Sequence, residues 1–297
     1  MANIEVTRLP DAEPRPRHVA IGTFDGVHRG HRAVIDDADT VLTFDPHPLS
    51  VIHPAALPKL LMPFGVKRDV IEGLGVRELV VIPFDRGFAA RSAEEFVEHV
   101  LIETLAAAKV SVGENFRFGA KAKGDPAMLS AREEFATRVV PLVEVDGETV
   151  SSTRIRALVA AGDMRGARHC LGAPFMVEGT VVEGDQRGRE LGFPTANIVP
   201  DDELAYPGHG VFAGFADGVP AAINVGVRPT FDSGRGLLIE TYLIDRDEDL
   251  YGRTLRVAFL ERLRGERRFA SVEELVAQMK IDVEDAKRVC ASFTGAQ

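Results

Sequence analysis

At 297 residues, with 45% hydrophobic and 27% charged side chains, the chain is globular in composition and long enough for two domains of roughly 100 to 200 residues, each able to bury a core. Its 45 acidic against 35 basic residues give a formal charge of -10, which argues against a nucleic-acid or anionic-membrane partner; any anionic substrate needs basic residues concentrated locally. Two cysteines, Cys170 and Cys290, lack CxxC spacing and so indicate neither a disulfide framework nor a zinc motif; with no apolar leader and no run of about 20 apolar residues, the expectation is a cytoplasmic protein.

The first half alternates two textures. "HVAIG" (18–22), "DTVLTF" (39–44), "RELVVIPF" (77–84) and "KVSVG" (109–113) read as short buried strands. Between them "GVKRDVIEGLG" (65–75) and "SAEEFVEHVLIETLAAA" (92–108) carry helical patterns, the second opening on a capping box of Ser92 and Glu95. Such alternation predicts an α/β fold with helices on the faces of a parallel sheet and ligands at the carboxyl ends of its strands.

Directly behind the first strand stands "IGTFDGVHRGH" (21–31). A strand ending in Gly22, a turn at Gly26 and a helix whose first turn carries His28 and His31 form a layout for an anion at a helix start, with Phe24 and Asp25 in the turn. Spacing of i and i+3 puts both imidazoles on one face, and Gly30 leaves the surface between them open. Imidazole donors stabilise charge growing on a phosphate without lysine's fixed charge; a metal reading is weaker, because two histidines need a third ligand and none is specified nearby. Only residues 32–41 separate His31 from the next strand motif, barely a parallel crossover, so a shortened first helix is expected.

Further along, the prolines of "LTFDPHP" fix a loop held by Asp45 or His47, and "VGENFRFG" sets Asn115 at a strand's carboxyl end, with Phe116 and Phe118 as wall or core. "SSTRIR" offers hydroxyls on Ser152 and Thr153 and guanidiniums on Arg154 and Arg156 at a helix start, suited to a triphosphate tail. Near 172–174 the texture changes to glycine-punctuated strands, "FMVEGTVVEG", "GVFAGFADG", "AAINVG", "LLIETYLID" and "TLRVAFLERL", which suggest an antiparallel barrel or sandwich closed by a terminal helix, "SVEELVAQMKIDVEDAKRVCASF". The stretch "GDQRGRELGFPTANI" (184–198) is not a Walker A sequence. Gly184 and Gly188 let backbone N–H groups approach phosphates, Thr195 and Asn197 suit Mg²⁺ and its waters, and Arg187 and Arg189 are phosphate contacts or solvated charges.

These stretches carry a resemblance. "GTFDGVHRGH" resembles the signature of the nucleotidyltransferase superfamily, and with "LTFDPHP", "VGENFRFG" and "SSTRIR" in order it is similar to the FMN adenylyltransferase half of bifunctional riboflavin kinase/FAD synthetases. "GDQRGRELGFPTANI", "YPGHGVFAG", "NVGVRPTF", "IETYLID" and "LRGERRF" follow the riboflavin kinase pattern. The resemblance implies a Rossmann-like nucleotidyltransferase domain over 1–172 and an antiparallel β-barrel kinase domain with a terminal helix over 173–297. It implies that His28 and His31 assist adenylyl transfer, while Gly22, Phe24, Asp25, Gly30, Ser152, Thr153, Arg154 and Arg156 bind ATP. In the second half it implies Gly184, Gly188, Thr195 and Asn197 at ATP, Thr195 also at the metal, and Glu240 as the base acting on the ribityl hydroxyl. Asn115, Arg264 and Phe269 would face flavin. Riboflavin, FMN and ATP with Mg²⁺ are then the expected partners, FMN and FAD the products, and a homo-oligomer is compatible. Two rival readings stay open: a monofunctional kinase with a degenerate first domain, and a non-catalytic flavin-binding protein.

Overall fold

A computed structural model describes residues 3–184, 188, 191–228, 236–246 and 248–295. By contacts the chain divides into two compact units, Met1–Pro58 with Phe64–Ser152, and Lys59–Pro63 with Thr153–Gln297.

The first unit is built on a six-stranded parallel sheet of β1 (Glu5–Arg8), β2 (Arg17–Ile21), β3 (Thr40–Asp45), β4 (Glu78–Pro83), β5 (Ala107–Gly113) and β6 (Ala136–Val140), in the order β1-β4-β3-β2-β5-β6. The inner strands are near-continuous apolar runs because helices cover both faces: Val19, Val41, Leu42, Val80 and Val110 are fully buried. The edge strands β1 and β6 escape a reading by apolar runs, since most of their residues are exposed or half-exposed. Strand order reverses at β2, whose neighbours are β3 and β5, so the loop leaving β2 lies at the switch point where open α/β sheets take their ligands. At the opposite edge, the buried Arg17 and Glu78 close a two-pronged ion pair of 2.8 and 3.1 Å between the starts of β2 and β4.

Two sequence expectations need correction. The capping box forms as read, with Ser92 Oγ accepting from Glu95 N–H, but the helix expected over 92–108 turns π-helical at Phe96 and stops at Thr104. Ala107 is already in β5, opposite Arg17, so strand pairing overrides the helix propensity of the alanines. The first helix, α1 (Arg29–Ile35), has seven residues, as its short crossover predicts; His28 is its N-cap rather than a member of its first turn.

Helix Ser152–Ala161 runs from the last residue of the first unit into the second, and Gly162, which takes φ 77°, separates it from helix Met164–Leu171. A small ladder of β7 (Glu144–Val145) with β8 (Glu148–Thr149) precedes them in the first unit. The change of texture near residue 172 marks the approach to the barrel: β9 (Phe175–Val182), β10 (Ala196–Ile198), β11 (Gly210–Ala216), β12 (Val219–Arg228), β13 (Gly236–Leu243) and β14 (Thr254–Arg264) close in the order β10-β13-β12-β11-β14-β9 through the β9–β10 pair. Closure decides between barrel and sandwich. β10 lies within "PTANI" and is too short to show a period in sequence. Phe175, Phe212, Ile223, Ile239 and Phe259 are buried in the barrel, and the terminal helix Val272–Thr294 packs Val283, Ala286 and Val289 against Ala213 and Ile244. The Cys290 thiol on that helix donates to the Gly214 carbonyl at 3.1 Å, the place of a structural cysteine rather than a reactive one.

Candidate active sites

The loop from Gly22 to His28 is held by its own backbone and by two side chains from later elements. Gly26 takes φ 94°, and Phe24 and Val27 accept left-handed φ of 51° and 40°, conformations a short loop reaches only when its surroundings fix it. Phe24 is buried and meets His31 edge-on at 5.4 Å. A Cβ at Gly22 would come to 3.0 Å from the Phe24 ring, so any larger residue there would press on that ring. The Ser152 hydroxyl donates to the Asp25 carbonyl at 2.9 Å, and Lys67 Nζ donates to the Thr23 carbonyl at 2.9 Å.

His28 and His31 stack with ring centroids 3.5 Å apart. His28 Nδ1 accepts the His31 backbone N–H at 3.2 Å, which leaves its neutral tautomer with the proton on Nε2. Burial lowers the His28 pKa to about 4, and burial together with His28 and Lys67 depresses that of His31 well below the ordinary value. Both imidazoles are therefore neutral at pH 7. His31 Nδ1 is buried without a hydrogen-bond partner, a cost that a ligand atom would relieve. The pair can offer polar N–H groups to an anion without a charge of its own, and Lys67 brings the nearby cation. Burial lowers the Lys67 pKa, while Asp25 and Asp45 pull it back up.

Lys67 went unread in the sequence, although the signal is there: it lies one turn before the buried Ile71 and beside the buried Val66, a cation on the apolar side of its helix. Of the expected residues, Asn115 is exposed in the turn after β5, at the same edge of the sheet as the signature loop. Phe118 belongs to the core cluster and Phe116 packs on it, and His47 caps the helix Pro48–Ile52 through Leu49 N–H. Thr153, Arg154 and Arg156 group with the second unit, where Arg156 Nε donates to the Lys59 carbonyl at 2.6 Å.

The second site is a row across three strands. Register sets Asn197 of β10 and Asn224 of β12 on either side of Glu240 in β13, and residues opposite one another in a ladder share a face. Asn224 Nδ2 donates to Glu240 Oε2 at 2.9 Å. Glu240 lines a cavity of about 610 Å³ with Thr195, Tyr242, Arg264, Phe269 and Asp282. A second cavity of about 180 Å³ is lined by Gly184, Asn197, Arg246, Asp249 and Tyr251, and Thr195 borders both. At Gly184 a Cβ would fall 2.1 Å from Asn197 Nδ2, so only glycine allows this approach; at Gly188 it would fall 2.5 Å from the Phe193 carbonyl. Arg264 lines the larger cavity but is held there by Asp282, through Nη2 at 2.8 Å and Nε at 3.0 Å, and lies over the Phe269 ring at 5.7 Å. Asn224 and Tyr242 were missed by the sequence reading, which had no way to tell the cavity face of a barrel strand from its other face, and Asp282 because its partner Arg264 lies 18 residues away across the turn into the terminal helix. Arg187 and Arg189 lie outside the described residues.

Two family models match the chain, riboflavin kinase over residues 171–290 and FAD synthetase over residues 11–154. The bifunctional riboflavin kinase/FMN adenylyltransferase of Escherichia coli (strain K12) is 36% identical over 282 residues, covering 89% of this chain and 90% of that protein. The protein of the same name from Bacillus subtilis (strain 168) is 34% identical over 291 residues, 91% of each chain. A solved structure named a macrolide-efflux protein from Streptococcus pneumoniae superposes with a TM-score of 0.85 at 30% identity, covering 97% of this chain and 99% of that one. That name speaks for that protein; among the described residues here no helix is long and apolar enough to cross a membrane.

Proposed function

The chain belongs to the bifunctional riboflavin kinase/FMN adenylyltransferases, and from that membership and the two sites' geometry we propose which side chains carry each reaction. The protein phosphorylates riboflavin to FMN with ATP, and adenylylates FMN to FAD with release of pyrophosphate.

In the barrel unit the nucleophile is a neutral hydroxyl, so a base is required. Glu240 takes the ribityl 5'-hydroxyl proton as that oxygen attacks the γ-phosphorus of ATP and ADP leaves. The larger cavity, with Phe269 and the Arg264–Asp282 pair on its wall, receives the flavin. The smaller one receives the nucleotide, against Gly184 and Asn197. The observation that carries this reading is the position of Thr195, on the wall of both cavities and so where the γ-phosphate must pass from one ligand to the other.

The donors there are a hydroxyl, an amide and a carboxylate, all hard oxygen ligands, and they fit Mg²⁺ bound together with a triphosphate. Among the described residues there is no cluster of three or more acidic, histidine or cysteine side chains that could hold a metal alone, which suits an ion that arrives with its nucleotide. Thr195 and Asn197 would hold it. When bound, the ion supplies charge neutralisation along the phosphates. Removal of Mg²⁺ by excess chelator should stop both reactions; full activity in chelator would refute the assignment.

In the first unit the nucleophile is FMN's phosphate, largely ionised at pH 7 with a second pKa of about 6, and no base is needed. The phosphate oxygen attacks the α-phosphorus of ATP. His28, through Nε2–H, and His31 donate to phosphate oxygens as charge builds on them, and Lys67 offsets the remaining negative charge. Gly22, Gly30, Phe24 and Asp25 shape the loop that receives the triphosphate, Asn115 faces the flavin at the end of β5, and Ser152 fastens the loop through Asp25.

Incubation with riboflavin, ATP and Mg²⁺ followed by chromatography tests the whole reading. FMN and then FAD should accumulate. FMN alone would support a kinase with a degenerate first unit, and unconverted riboflavin that co-elutes with the protein would support a carrier.

A further inference from the structure

The Glu240 carboxylate has two oxygens, and the reaction uses one. In a strand, a glutamate side chain keeps three rotatable bonds, so a base at this position samples several orientations unless something fixes it. The register places an amide on each side of it, and of the two it is Asn224 that bonds to the carboxylate. Asn224 stands directly opposite Glu240 across the β12–β13 ladder, between Ile223 and Val225, which are fully buried on the opposite face and lock that stretch of β12. Its Nδ2 donates to Glu240 Oε2 at 2.9 Å, and since a carboxylate only accepts, the nitrogen must be the atom presented. Asn197, on the other side, turns its amide back toward the Thr195 carbonyl, at 3.5 Å.

We propose that Asn224 is a positioning residue for the kinase reaction, holding Glu240 Oε2 so that Oε1 alone faces the flavin's hydroxyl. The choice of an amide follows from the chemistry. A lysine or arginine in this place would close an ion pair and make the carboxylate a poorer proton acceptor, while a serine would not span the ladder to the carboxylate. An amide donates one hydrogen bond, brings no charge and cannot take the transferred proton. It leaves Oε1 as the only oxygen available for the hydroxyl, so the proton goes to a defined atom when the new O–P bond forms. Asn224 and Glu240 line one cavity with Thr195, so the orientation is fixed where flavin and γ-phosphate meet.

This inference rests on Glu240 being the base, and the experiment separates the two claims. FMN formation is measured for the full chain, for Asn224→Leu, for Asn224→Asp, for Glu240→Gln and for the double variant Asn224→Leu/Glu240→Gln. Asn224→Leu should lower kcat for FMN formation about ten- to a hundredfold, the worth of one hydrogen bond to a charged group. KM for riboflavin and for ATP should stay within about twofold, because binding energy common to ground and transition state is untouched. Asn224→Asp, equal in shape but unable to donate, should lose at least as much. In the Glu240→Gln background the second substitution should cost almost nothing, since Asn224 acts through a base already removed. An unfolding transition in denaturant matching that of the full chain, followed by circular dichroism, reports that the barrel of each variant is folded. If Glu240→Gln is inactive while Asn224→Leu keeps its kcat, or if the two losses simply multiply, the positioning role is wrong and the base assignment stands. Should Glu240→Gln itself keep full kinase activity, the base assignment fails, and this inference with it.

Discussion

The two active sites solve opposite problems with nearly opposite materials. In the first unit the proposed working groups are buried at the switch point of a parallel sheet: two stacked imidazoles kept neutral by burial, one of them with an unpartnered ring nitrogen. In the barrel they form a polar row across three strands, with a carboxylate in the middle and an amide on each side, facing open cavities. The difference follows from the nucleophile. A phosphate is already an anion, so its site needs donors for the charge it gives away and no base. A sugar hydroxyl is neutral, so its site needs a carboxylate and something to aim it. Each unit is therefore poorly equipped for the other's reaction, and the contrast can be broken experimentally.

The largest effect is expected at the proposed base. Glu240→Gln keeps size and hydrogen-bonding capacity, so FMN formation should fall by roughly 10² to 10⁴ in kcat, measured by chromatography of riboflavin incubations. Next comes His31→Ala, which should cost adenylylation of supplied FMN roughly 10² to 10³, the worth of a donor aimed at transition-state charge. A loss confined to the KM of FMN would mean His31 only binds.

Burial of neutral imidazole leaves a thermodynamic trace that the barrel site lacks. The His28 pKa of about 4 lies below its ordinary 6.5, so the folded state refuses a proton that the unfolded chain accepts. Its stabilising contribution is complete above pH 6.5 and is lost as the pH falls toward 4. His28→Asn preserves an N-cap acceptor and removes the titration. Between pH 7 and pH 5 the wild-type first unit should therefore lose about 2 kcal/mol more than His28→Asn, in denaturant titrations at the two pH values. Equal losses would show that the fold does not lower the His28 pKa. The smallest effect is expected at Lys67→Met, about tenfold in KM for ATP in the adenylyl reaction, from loss of the charged hydrogen bond to the Thr23 carbonyl. Riboflavin phosphorylation should not respond.

The sequence showed the architecture wherever one period or one motif governed a segment. The buried runs of β2 to β5, the Ser92 capping box and the seven-residue α1 follow from local patterns. It was silent where tertiary context decides. The helix from Ser92 ends early because β5 needs Ala107 as a partner for Arg17, a demand invisible in the local pattern. β10 has three residues, too few for a period, yet it sets Asn197 beside Glu240. The candidate histidines His28 and His31 stood out because glycines and a strand surround them in sequence. Asn224 did not, since its meaning comes from a cross-strand neighbour 16 residues away, and the only signal for Lys67 was a cation beside buried Val66 and Ile71, its partner being a carbonyl 44 residues away.

The central claim is that one chain holds two chemically independent sites, and a crossed assay of Glu240→Gln, His31→Ala and the double variant tests it most directly. Each protein is given either riboflavin or FMN with ATP and Mg²⁺. The account predicts that Glu240→Gln fails with riboflavin yet makes FAD from FMN at the wild-type rate, that His31→Ala makes FMN and stalls there, and that the double variant shows each single loss unchanged in its own reaction. A Glu240→Gln protein that phosphorylates riboflavin but no longer adenylylates FMN would contradict it outright.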